Sequence, residues 1–172
     1  MENYVKAMLY AFPKMTAMEE GYSGVIETKA ILSHNARKDG EKVLEEIVLE
    51  IFKKQRCAQL KRRIYRVLLK LDSKERLLLE LRYFRRKRVI REYLKGYKTP
   101  PFSSRRSYYR LQAKLLCKLV RNFEKAGLTK EDFKENYDDL DELKWMISHL
   151  KKGMFPTDLV DRFLAKKNQS SK

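Results

Sequence analysis

The chain has 172 residues, 43% of them apolar, which is enough for one compact domain or two small ones. Its 40 Lys and Arg against 23 Asp and Glu give a formal charge of +17, a field that attracts polyanions such as DNA, RNA or an anionic membrane surface. No apolar run approaches the ~20 residues of a membrane span, the N-terminus lacks a signal-peptide pattern, and Cys57 and Cys117 lack metal-site spacing, so both read as small core residues of a reduced, cytoplasmic protein.

With only 6 Gly and 4 Pro, and Leu, Lys, Glu and Arg dominant, the expected fold class is all-α, a helical bundle of long helices and short turns. A first helix is predicted over 2–12, stopped by Pro13, with Tyr4, Met8 and Phe12 on one face. A second over 16–33 offers Tyr22, Val25, Ile26 and Leu32 for packing. Asp39 is a candidate N-cap for a long helix reaching Leu71, along which Leu44, Ile47, Val48, Ile51, Ala58, Tyr65, Leu68 and Leu71 recur at helical spacing. That stripe is too irregular to favour a coiled-coil dimer.

Asp72-Ser-Lys-Glu75 is a capping-box pattern, and Leu77, Leu78, Leu81 and Phe84 line one face of the helix that follows. The basic turn Arg85 to Arg88 interrupts it. A short helix over 89–94 is closed by Gly96 and Thr99-Pro100-Pro101. Ser103 or Ser104 caps the next helix, whose Tyr108, Leu111, Leu115, Leu119 and Phe123 point inward up to Gly127. Thr129 caps another helix, Leu140, Leu143, Ile147 and Leu150 mark one more, and a last one starts at Phe155-Pro156-Thr157 before a polar tail. The organisation expected is an N-terminal helical region 1–71, a central trihelical helix-turn-helix unit 72–127, and C-terminal helices with the tail over 128–172.

The charge is unevenly spread. Residues 53–125 hold 25 basic and 5 acidic residues, net +20, which leaves the two flanks together at −3. Inside this block "SSRRSYYR", Ser103 to Arg110, opens a helix, and a helix followed by a short helix, a turn and a long helix is the order of a helix-turn-helix reader whose last helix enters the major groove. Serines and the N–H groups of a helix start bond phosphate, and arginine bonds guanine in bidentate fashion. Arg106, Tyr109 and Arg110 share one outward face, with Ser103 at its edge, because residues three and four apart are neighbours on a helix. The candidate DNA-binding residues are Ser103, Ser104, Arg105, Arg106, Ser107, Tyr109, Arg110 and Lys114, with Arg85, Arg86, Lys87 and Arg88 of the basic turn.

"LDSKERLLLELRYF", Leu71 to Phe84, resembles the start of the fourth region of bacterial sigma factors, and "SSRRSYYRLQAKLLCKL", Ser103 to Leu119, resembles its recognition helix. The run Ser104 to Arg110 is similar to sigma-like phage late-transcription regulators of the ArpU and RinA type. The resemblance covers about 55 residues, a third of the chain. It implies a DNA-binding helix-turn-helix that acts at bacterial or phage promoters, with RNA polymerase as a further partner. Between the two matching stretches "RRKRVIREYLKGYKTPPF" replaces the family's acidic second helix and glycine turn, and the N-terminal third lacks an aromatic polymerase-binding region. What is implied is therefore a sigma-like regulator rather than an autonomous sigma factor.

The expected function is sequence-specific binding of double-stranded DNA in transcription regulation; the alternatives are an RNA-binding protein and a phage DNA-packaging helix-turn-helix protein of small-terminase type. An enzyme is not expected, because His34 and His149 stand in separate segments without a partnered nucleophile or a carboxylate pair. Neither a cofactor nor a metal is expected. His34 reads as a helix-end residue and His149 as one on a polar face. The Leu stripes suit packing rather than a membrane surface.

Overall fold

The computed structural model describes residues 3–35, 40–95 and 102–154. Among them are eight α-helices and no strand, so the fold is all-α. The expected Asp39 cap, the closing Gly96 and Thr99-Pro100-Pro101, the last helix from Phe155 and the polar tail lie outside the described residues.

The helix α1, Asn3–Ala11, is buried on nearly every side rather than along the single face expected of it. Its sequence explains why: Lys6 is the only charged residue in the nine, and a helix apolar all round belongs in a core. Pro13 ends it as expected, within a 3-10 turn, Phe12–Lys14, that leads into α2, Met15–Asn35. His34 sits in the last turn of α2, as its place in the sequence suggested.

The helix α3, Gly40–Leu68, runs back antiparallel to α2, with Lys29 on Glu46 at 3.1 Å, Lys61 on Glu19 at 2.8 Å and the Cys57 thiol facing the Met15 carbonyl at 3.8 Å. Only the second half of α3 reaches the core, through Cys57, Leu60, Ile64, Val67 and Leu68. The outer half of the hairpin corrects the expected packing: Val25, Leu32, Leu44, Val48 and Ile51 are exposed, and so is Tyr65 further along. Two helices bury one seam between them and leave their outer faces in water. The helix also stops three residues short of Leu71, which a turn then carries into the core.

The capping box forms as read: the Glu75 amide donates to Asp72 Oδ1 at 2.8 Å and the Asp72 amide donates to Glu75 Oε2 at 3.1 Å. It starts α4, Ser73–Leu79, which widens into a π-helical turn, Glu80–Phe84, before Arg85 closes it in the left-handed conformation, φ 58°. The helix α5, Lys87–Lys95, begins two residues earlier than predicted and buries only Ile90. The helix α6, Arg105–Lys125, buries Tyr108, Gln112, Leu115, Leu116, Leu119 and Phe123, with Leu111 half-buried. Gly127 ends this segment at φ 75°, a conformation glycine adopts without steric cost. Thr129 caps α7, Lys130–Asn136, by accepting from the Asp132 amide, and α8, Asp141–Lys151, packs Leu143, Met146 and Leu150 against α1.

One hydrophobic cluster runs from Tyr4 to Leu150, so the three stretches separated in the sequence share a core. Two arginines of α3 brace it from outside. Arg56 grips Asp139 through both terminal guanidinium nitrogens, at 2.9 and 2.7 Å, and Arg63 donates to Asp132 and to the Tyr137 hydroxyl, each at 2.9 Å. Part of the central block's charge is therefore neutralised by carboxylates of the C-terminal segment, Asp132 of α7 and Asp139 of the turn before α8. Cys57 is buried as expected; Cys117 is not, because it falls on the exposed face of α6.

Candidate nucleic-acid interface

The helix α6 is set by buried polar contacts as well as by leucines. Gln112 Nε2 donates to the Leu78 carbonyl at 2.7 Å and to the Tyr108 hydroxyl at 2.9 Å, pinning α6 to the turn of α4 where the spacing changes from α to π. Phe102 and Tyr108 meet edge to face with centroids 5.1 Å apart, and Lys118 reaches Glu75 of the capping box at 2.6 Å. These contacts fix the direction in which the N-terminal turns of α6 project.

At that end Ser104 is the N-cap: its hydroxyl accepts from the Ser107 amide at 3.2 Å, and the first amides of α6 then present a partial positive charge. Ser103, Arg105, Arg106, Arg110 and Lys114 are exposed, and Ser107 is half-buried. Arg106, Arg110 and Lys114 follow at steps of four, so they form one stripe, while Arg105 lies about 100° around the helix. Tyr109 is 39% exposed and its ring leans on two neighbours, Tyr108 at 5.2 Å and the Arg82 guanidinium at 5.9 Å. Arg82 also lies over Tyr83, so this cation of the π-helical turn belongs to the same surface as the start of α6. Nothing local in the sequence marks Arg82. Its place depends on how α4 crosses α6.

The basic turn divides into different roles. Arg86 folds back onto Glu80, whose side chain is 3% exposed: Nε stands 3.1 Å from both carboxylate oxygens and a second nitrogen bonds Oε1, which raises the Arg86 pKa further. Arg85 is exposed in its left-handed position, and Lys87 opens α5 in solvent. Arg88 meets Glu92 at 3.3 Å on a fully hydrated face, a contact of little energetic weight. Arg91 and Lys95, not singled out in the sequence, continue the exposed line that Lys87 begins at steps of four along α5. Over 85–95 and 102–118 together there are eleven Lys and Arg and a single carboxylate, Glu92.

Nine residues separate α5 from α6, more than the 3–4 of a compact helix-turn-helix turn. Beside the basic turn, a cleft of about 420 Å³ is lined by Tyr10, Tyr83, Phe84, Arg85, Trp145 and His149, with the His149 ring 3.9 Å from that of Trp145. His149 is thus a partner to an aromatic ring rather than a purely polar-face residue. No cluster of metal-ligating side chains occurs among the described residues, and no helix among them is long and apolar enough to cross a membrane. Set against protein-family models, curated proteins and solved structures, the chain finds no match.

Proposed function

We propose that the protein is a sequence-specific double-stranded-DNA-binding regulator of transcription, in which α4, α5 and α6 act as a helix-turn-helix unit like the fourth region of sigma factors. The observation that carries this reading is the exposed stripe Arg106, Arg110 and Lys114 at the capped start of α6, on a stretch without a single carboxylate from 102 to 118. In this arrangement the first turns of α6 enter the major groove and the stripe meets base edges. The serines and amides at its tip, with Lys87, Arg91 and Lys95 of α5, hold the phosphates on either side. Bound at a promoter, the protein would recruit RNA polymerase or alter its action.

Duplex binding against salt is the first experiment. With ~4 to 6 phosphates neutralised, the log–log slope of affinity on salt is about −4 to −5, and a flat titration removes the electrostatic argument. Selection from a random duplex library then separates reading from adhesion. Arg106→Ala and Arg110→Ala each lose ~1 to 3 kcal/mol on the selected site and much less on random DNA, whereas Lys87→Ala weakens both equally. A consensus unchanged by losing both arginines places the specificity elsewhere, and tighter binding to a structured RNA than to any selected duplex overturns the reading.

A further inference from the structure

The outer half of the α2–α3 hairpin keeps large apolar side chains in water: Leu44 is 63% exposed, Val48 46% and Ile51 38%. The apolar pattern of α3 is irregular as a whole because it superimposes two sets of residues. Away from the residues that face the core, Leu44, Val48, Ile51, Gln55 and Ala58 share one face of α3 at steps of 4, 3, 4 and 3, with the exposed Leu49 and Phe52 further around the helix. That is the spacing of a seam for another helix lying nearly parallel or antiparallel to α3. The seam borders a cleft of about 390 Å³ lined by Ile26, Ile51, Lys54, Gln55, Ala58 and Arg62.

We infer that this seam is covered by the same seam of a second copy of the chain, antiparallel about a two-fold axis near Ile51, so that two hairpins complete a four-helix bundle. The ends of the stripe carry the argument. Glu41 lies three residues before Leu44 and Arg62 four residues after Ala58, and both are exposed. A two-fold axis near Ile51 sets Glu41 of each copy against Arg62 of the other. It also brings the large Leu44 opposite the small Ala58, Val48 opposite Gln55, and Ile51 onto its counterpart. Charge and size are complementary in this register, whereas a parallel pairing in register would place Glu41 on Glu41 and Arg62 on Arg62.

Electrostatics over longer range agrees. Two chains of +17 repel, but the outer part of the hairpin is weakly acidic: α2 has three Glu against one Lys and Gly40–Gln55 has four against three, together −3, while Arg56, Lys61 and Arg62 make the inner end of the seam basic. The antiparallel register lays that basic end of each copy along the Glu-rich outer half of the other, Glu41 to Glu50. From Glu41 to Arg62 the seam is about 32 Å long, and two helices of about 10 Å width offer roughly 640 Å², close to the ~800 Å² per partner of a stable interface.

Sedimentation of nuclease-treated protein tests this without reference to DNA binding. The expected species at micromolar concentration has twice the 20.6 kDa mass of the chain. Ile51→Glu weakens the pair by roughly a hundredfold, because the change occurs at the axis in both copies, and it leaves the helical circular dichroism intact, since Ile51 contributes nothing to the protomer's core. Leu49→Glu, also exposed but about 120–140° around α3 from the seam, leaves the mass unchanged. Glu41→Arg and Arg62→Glu each loosen the pair, and the two together restore it. A monomer up to about 100 µM, a ring of higher mass, a dimer indifferent to Ile51→Glu, or a double charge swap without rescue would each overturn the inference.

Discussion

Arg86 is the residue for which sequence and structure lead to different experiments. As one of four cations in a basic turn it suggests a phosphate contact, whereas in the fold it neutralises Glu80, a carboxylate 3% exposed on the wall of a cleft shared with Phe12, Leu68, Leu79, Phe84 and Tyr93. Replacing Arg86 with Ala strands that charge. Breaking a fully buried pair costs about 3–5 kcal/mol. Here the Arg86 side chain is 51% exposed and the cleft, about 300 Å³, admits water, so the expected loss is nearer ~2–3 kcal/mol. In a chain of this length that lowers the melting temperature by about 5–10 °C. Thermal and urea unfolding followed by circular dichroism measure it. Glu80→Leu with Arg86→Met recovers most of the loss, because Phe12, Leu68, Leu79 and Phe84 offer the new side chains apolar contact and neither partner's charge is left behind, while Lys87→Ala and Arg88→Ala change stability by less than ~0.5 kcal/mol. If Arg86→Ala melts with the parent, the pair does not hold the π-helical turn and this account of the basic turn is wrong.

Leu115→Ala and Leu119→Ala, both facing the core from α6, each cost ~2–5 kcal/mol in urea unfolding, against almost nothing for Lys125→Ala on the exposed side; leucine variants that unfold like the parent refute the assignment of helix faces. Burial pushes the Cys57 thiol up to about 11 and the Tyr22 phenol up to about 12, so both hold their protons more tightly folded than unfolded. The stability this represents is whole below the ordinary thiol range and is lost as pH rises through about 9 to 11; a melting temperature flat between pH 8 and 11 contradicts it. At pH 8 a thiol reagent should label exposed Cys117 quickly and Cys57 only on unfolding, and equal rates would show that α3 does not seat Cys57 against α2.

What depends on neighbours within a few residues was legible in advance. The capping box at Asp72 and Glu75, the caps at Ser104 and Thr129, the stop at Pro13, the turn at Gly127 and the inward face of α6 all rest on local hydrogen bonding, fixed φ or helical periodicity, which the order of residues specifies directly. The exposure of Arg106 and Arg110 on one face was legible for the same reason, whereas Tyr109, read on that face with them, leans on Tyr108 and Arg82, and Lys114 continues the stripe.

Other features waited on tertiary contacts between segments far apart in the chain. Apolar spacing says that a helix has a face to cover and not whether anything covers it, so the stripes of α1 and outer α3 read alike although one is the centre of the core and the other stands in water. Net charge likewise counts cations without saying which of them meet an anion. Arg56, Arg63 and Arg86 belong to the same basic block as Arg106 and Arg110, and only the crossing of α3 with the C-terminal helices and the fold of the π-helical turn onto Arg86 assign the first three to carboxylates and leave the stripe on α6 in solvent. The physical reason is range: hydrogen-bonded turns close within four or five residues, whereas burial and ion pairing are settled wherever the packed chain brings distant side chains together.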